Sequence, residues 1–233
     1  GPVDVAGPAA AAAPRVEIDR PGLDLAPSIA ADGRTFVFVR RETEGWAIHK
    51  GTLGGTESVA LVTARDARLA APRFSPDQRQ LAYLRLQSDR CEVRLHALAE
   101  ATDRLLTDTC VNWAESSLDW LGVTTLLYSR MDAGAHALGD RKVAVFAIDL
   151  ADARSRRLSF GRDWPSADIH PRVSPGGQRI AFIRDGQGQR QVVTADSDGS
   201  NERAFNGGIW PYALEWQSDQ RLLLAGHGRS ERE

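Results

Sequence analysis

The groups in this chain with chemistry to offer are two cysteines, five histidines and one short acidic run. A thiol pair closes a disulfide when the backbone brings its Cα atoms to roughly 4.4–6.8 Å. Cys91 and Cys110 lie symmetrically about a turn at Glu100 and Ala101, and in an antiparallel hairpin residues with a constant index sum face one another. The spacing therefore predicts that the two cysteines sit opposite one another and are joined. Such a bridge stabilises by about 3 kcal/mol in the chain-entropy model, and it requires an oxidising compartment. His49, His96, His136, His170 and His227 show no local ligand spacing, so no metal site is expected. The run "DSDGSNE" from Asp196 begins like a calcium loop but lacks the Glu that the loop needs at its twelfth position. It reads as a hairpin tip. No G-x-S-x-G elbow, H-E-x-x-H zinc motif or dinucleotide fingerprint is present, so neither catalysis nor a cofactor is expected.

The elements that must position these groups are announced by a phrase said five times. It reads "PSIAADGRTFVFVR" from Pro27, "PRFSPDQRQLAYLR" from Pro72, "SLDWLGVTTLLYSR" from Ser117, "PRVSPGGQRIAFIR" from Pro171 and "LEWQSDQRLLLA" from Leu214. The turn positions fall at Asp32, Asp77, Gly122, Gly176 and Asp219, so the unit recurs every 43 to 54 residues. Each copy is strand, tight turn, strand, followed in the first four by a second alternating pair with a tip such as Gly54 and Gly55. Four strands per period of this length is the signature of a propeller blade. The expected fold is all-β, a propeller of about five blades built from four full repeats and a partial fifth.

The chain has 233 residues, is 42% hydrophobic, and carries 29 basic against 31 acidic residues for a net charge of −2. That balance provides no electrostatic footprint for nucleic acid. Residues 1–14, "GPVDVAGPAAAAAP", suit a flexible linker or the scar of a cleaved tag. The propeller is expected over 15–226 and a disordered tail over 227–233. The stretch "RVEID" at 15–19 is expected to pair with the hairpin at 214–225 and so complete the ring from both termini. The rival is an open arc covered by homodimerisation through the exposed edge.

The repeats, with their P-x-hydrophobic-S-P-D/G-G phrase and hairpins ending in "LLTD" or "RLSF", resemble those of TolB-type propellers. More narrowly, Cys91 and Cys110 about one hairpin, then "LDW", "GDRKVAVFAIDL", "HPRVSPGGQRIAFIR" and "LEWQSDQRLLLAGH" resemble the extracytoplasmic half of membrane-anchored winged-helix regulators of the CadC and ToxR kind. The resemblance implies a non-catalytic periplasmic sensor domain whose DNA-binding and membrane parts lie in a parent protein. Its partners would be a protein or a small signal ligand at the propeller face. The alternatives are a free periplasmic TolB-like adaptor and the propeller lid of a prolyl-oligopeptidase-like hydrolase. Rigid scaffolds present function on their connections. The candidate contacts are therefore taken from "VNWAESS" at 111–117, "MDAGAHALGD" at 131–140 and "RDWPSADIH" at 162–170. They are Trp113, Asp132, His136, Asp140, Trp164, Asp168 and His170.

Overall fold

The computed structural model describes residues 23–113, 116–132, 143–160, 166–186, 188–205 and 208–228. The expected linker and the 15–19 strand lie outside these residues, as do His136, Asp140 and Trp164. Every regular element among the described residues is a strand. The first group is β1 (Leu23–Ile29), β2 (Thr35–Glu42), β3 (Gly45–Thr52) and β4 (Ser58–Ala64), paired in that order. The second is β5 (Arg68–Phe74), β6 (Gln80–Leu86), β7 (Cys91–Ala97) and β8 (Thr102–Thr107). The third is β9 (Leu118–Trp120), β10 (Thr125–Met131), β11 (Val143–Asp149) and β12 (Ser155–Arg157). The fourth is β13 (Ala167–Val173), β14 (Arg179–Gly186), β15 (Gln189–Asp196) and β16 (Arg203–Phe205), joined to the third in one eight-stranded sheet by a single parallel β11–β13 pair, Val143 with Ala167. A two-stranded hairpin follows, β17 (Ile209–Ser218) with β18 (Arg221–Gly228). β18 runs two residues into the expected tail, because His227 pairs with Trp210 and Gly228 with Ile209.

Within each group neighbouring strands are antiparallel, and the repeat phrase places its turn between the first two. The turn residues explain themselves. Asp32 accepts hydrogen bonds from the backbone N–H groups of Arg34 and Thr35, each at 2.8 Å. Ser75 donates to Asp77 at 2.6 Å and accepts from the Gln80 N–H at 3.0 Å. Such side-chain bonds replace the backbone partners that a reversing chain loses.

The groups pack face to face. Consecutive residues of "LAYL" in β6 alternate sides. Leu81 and Tyr83 join Val37, Val39 and Ile48 of the first group, while Ala82 and Leu84 join Leu118, Leu126 and Tyr128 of the third. In β14, Ile180 and Phe182 face the third group, and Ala181 and Ile183 face β17. A strand buried on both faces reads as a continuous apolar run. Such runs mark β2, β6, β10, β11 and β14. The core is thus a series of layers between sheets, and the first strands adjoin in sequence, β1 by β5, β5 by β9, β9 by β13 and β13 by β17.

Cys91 and Cys110 are joined, with Cα atoms 5.3 Å apart. They are not cross-strand partners as the index sum predicts. Ala97 pairs with Thr102, but the register slips before Val93, which pairs with Thr107. Cys110 lies beyond β8 and forms a bridge with Arg130 of β10. The disulfide therefore ties the second group to the third.

Candidate functional site

Antiparallel connectivity sorts the connections between two ends of the sheets. One end carries the turns after the first and third strands of each group, such as 30–34, 75–79 and 150–154. The other carries the turns after the second strand and the joints between groups. Of the stretches 111–117, 131–140 and 162–170, the described residues 111–113, 116–117, 131–132 and 166–170 lie on or beside connections of this second kind.

Between the ends, one repeated position collects charge. Ser28, Arg73, Asp119, Arg172 and Glu215 hold equivalent places in the five first strands. In β1, β5 and β13 the register shifts just before this position. Ala26, Ala71 and His170 there have φ of 50°, 48° and 55°, each preceding a proline. Proline disfavours the right-handed helical region for the residue before it, and the resulting bulge re-aims the next side chains. Arg73 donates to Glu215 Oε2 at 2.8 Å and Arg172 donates to the same oxygen at 3.2 Å. Arg172 also donates to the Pro171 carbonyl at 2.7 Å and to Ser117 Oγ at 3.2 Å. Asp119 accepts from the Val173 N–H at 2.9 Å.

Two guanidinium groups thus face two carboxylates. Burial, seconded by Arg73, pushes the Arg172 guanidinium down to about 10, against Asp119 and Glu215. Burial also works against the charge of Arg73, but Asp119 and Glu215 hold it above its ordinary value. Burial would raise the Glu215 carboxyl, yet Arg73 and then Arg172 keep it below the usual range. Two indoles brace this centre from outside, since Trp120 Nε1 donates to the Arg73 carbonyl at 3.0 Å and Trp216 Nε1 to that of Arg172 at 3.3 Å. The cluster is internally neutralised and holds neighbouring groups in register.

The described sequence candidates are committed to internal partners. Trp113 packs against the apolar cluster that contains Ile169, Leu214 and Trp216. Asp168 is buried and accepts two bonds from Arg184, at 2.7 and 2.9 Å, which also pairs with Glu202 at 3.1 Å. Asp132 pairs with Arg157. His170 sits half-buried in the β13 bulge.

One arrangement was invisible in the sequence. Glu42 Oε1 lies 2.9 Å from His49 Nε2, and His49 Nδ1 lies 3.2 Å from Ser58 Oγ. An acid, an imidazole and a hydroxyl in line is the order of a hydrolytic triad, but the ring is turned, with the acid on Nε2 and the hydroxyl on Nδ1, the reverse of the serine-protease arrangement. The signal depends on the β3–β4 register shift at Ile48 and His49, which no local motif reports. Among the described residues, no group of three or more His, Cys, Asp or Glu is placed to hold a metal. No helix among them is long and apolar enough to cross a membrane.

By sequence the chain matches no protein-family model and no curated protein. By structure it is similar to TolB from Acinetobacter baumannii, with a TM-score of 0.68 and 17% identity over 87% of this chain and 51% of that one. It is also similar to a chain of the nidogen/laminin complex, with a TM-score of 0.63 and 13% identity over 88% and 72%. A prolyl endopeptidase matches with a TM-score of 0.60 and 11% identity over 84% of this chain and 31% of that one. At these identities the likeness is one of fold, that of TolB-type β-propellers, and the chain spans about half the length of the TolB it matches.

Proposed function

We propose that this chain is a non-catalytic, extracytoplasmic β-propeller module of about five blades, the sensor half of a membrane-anchored winged-helix regulator. It binds a partner protein or a small signal ligand. The observation that carries this reading is the unequal build of the two ends of the sheets. One end carries turns bonded within themselves, such as 30–34 and 75–79, whereas the other carries the joints between groups and borders a cleft of ≈ 390 Å³; a further cavity of ≈ 580 Å³ lies among Arg184, Asn201 and Glu202. Rigid strands with variable connections at one end are the usual way a scaffold presents a recognition surface. The Cys91–Cys110 bridge supports a periplasmic location. The near-neutral charge favours protein or small-molecule contact over nucleic acid. A free TolB-like adaptor is the second reading, supported by the shared fold.

The test is to express the full reading frame in a Gram-negative host, with protease added to spheroplasts and thiols trapped by acid quenching. The expected result is a membrane-anchored protein whose propeller is digested from outside and whose thiols react only after reduction. A propeller protected like cytoplasmic markers, with two free thiols, overturns the reading. The line from Glu42 through His49 to Ser58 favours one competitor, a hydrolase. A serine-reactive fluorophosphonate should leave the protein unlabelled. Labelling that Ser58→Ala abolishes would establish Ser58 as an activated nucleophile and favour the hydrolase reading instead.

A further inference from the structure

The cleft at the irregular end is bounded by the β2–β3 tip, the β4–β5 joint and the β6–β7 tip. Its aromatic wall is Trp46, half-buried with its inner part packed on the Val37, Val39 and Ile48 layer. A second cavity of ≈ 180 Å³ also borders Trp46. The indole is held in place by the residue before it. Gly45 has φ of 143°, and a Cβ there would meet the Ala64 carbonyl oxygen at 2.3 Å. Only glycine lets the β2–β3 tip sit against the end of β4, and that contact fixes where Trp46 begins.

Charge in the cleft is unevenly spent. Glu42 is bonded to His49 at 2.9 Å and Asp66 to Arg85 at 2.7 Å, while Glu44, on the second cavity, is bonded to Arg65 at 2.8 Å; Arg65 and Arg68 line the cleft as well. Arg41 lies 5.9 Å above the Trp46 ring, and among the described residues no carboxylate pairs with it. A guanidinium laid on an aromatic ring keeps its in-plane N–H groups for another acceptor. Thr43, Gln87 and Ser88 add neutral hydrogen-bonding groups on the rim.

We infer that this cleft is a binding site for a small ring-bearing monocarboxylate. The ring would pack beside Arg41 against the part of Trp46 that lines the cleft, and the carboxylate would take the open fork of Arg41. The volume lies within the range of small-molecule sites, and the fork matches a carboxylate in two-point geometry. Phosphate has no ring to place against Trp46, which separates this ligand from it. The inference rests on the reading of this end of the sheets as the functional one, and it assigns the ligand class there.

The test is ligand-observed NMR with benzoate, glucuronate and inorganic phosphate as probes. At least one carboxylate is expected to bind saturably with Kd on the order of 10 mM, the scale for so small a ligand. Benzoate alone would mark an aromatic acid and glucuronate alone a sugar acid, and either supports the site. Arg41→Gln should weaken binding about tenfold, and Trp46→Leu should weaken it as well. Arg154→Gln, at the opposite end, should change nothing. Arg41 is exposed, so its variant keeps the test valid if Trp46→Leu fails to fold. Absence of saturable carboxylate binding, phosphate binding equally well, or an affinity unmoved by Arg41→Gln overturns the inference. Any of these would leave the location and thiol results of the parent reading untouched, so the two fail separately.

Discussion

Replacing Glu215 by Gln tests the charge cluster on the first strands most sharply. The amide keeps the size and an acceptor oxygen but removes the negative charge that is bonded to both Arg73 and Arg172. Losing one partner of a fully buried ion pair costs about 3–5 kcal/mol, because the remaining charge is stranded. The Glu215 side chain is 51% exposed, and solvent screens its share. The expected loss therefore falls to about 1–2 kcal/mol. For a domain of this size that is a fall in Tm of about 2–8 °C. The pH dependence fixes the mechanism. The folded state holds the Glu215 carboxyl below its ordinary value, so its contribution is complete above the usual carboxylate range and is lost as the pH falls through the folded value. Thermal melts of wild type and Glu215→Gln should differ at pH 7 and converge as the medium becomes strongly acidic. Glu44→Gln is the control, since its pair with Arg65 is exposed on both sides and should shift stability by under about 0.5 kcal/mol. A Glu215→Gln gap that persists unchanged in acid, or no gap at pH 7, refutes the reasoning.

Two further outcomes follow from the ties between sheet groups. The double variant Cys91→Ala, Cys110→Ala should lose about 3 kcal/mol, seen by calorimetry as a lower Tm, and wild type treated with reductant should lose a similar amount. Trp120→Phe removes the indole donor to the Arg73 carbonyl and should cost about 0.5–1.5 kcal/mol, which denaturant melts can resolve. A variant as stable as wild type would show that the bond across the groups contributes nothing.

The fold was legible because its signals are local. Asp32 and Ser75 satisfy backbone groups within five residues of themselves, so the turns and their period are visible in any one copy. The two-sided burial of "LAYL" and "IAFI" is likewise written into each strand. The charge cluster was not legible, because Arg73 and Glu215 are 142 residues apart and the shared position holds a different kind of residue from copy to copy. Only stacking of the repeats turns that variety into compensation. The cysteines lie between these cases. Their pairing was read correctly from spacing, but a slip in the β7–β8 register moves Cys110 past the hairpin and onto the third group, which an index sum cannot foresee. Trp113 and Asp168 looked like loop contacts because they stand in or beside irregular stretches. Trp113 packs on the cluster between β13, β14, β15 and β17, and Asp168 pairs with Arg184.

The central claim is that recognition occurs at the end of the sheets formed by the joints between groups. It is tested most directly by placing a photo-crosslinking amino acid at single exposed positions of the full-length protein in living cells. Thr43 and Ser88 probe the irregular end, and Glu57 and Asp152 probe the end closed by tight turns. The account predicts crosslinked adducts from Thr43 and Ser88 and none from Glu57 and Asp152. Adducts arising equally from both ends, or only from Glu57 and Asp152, would contradict it.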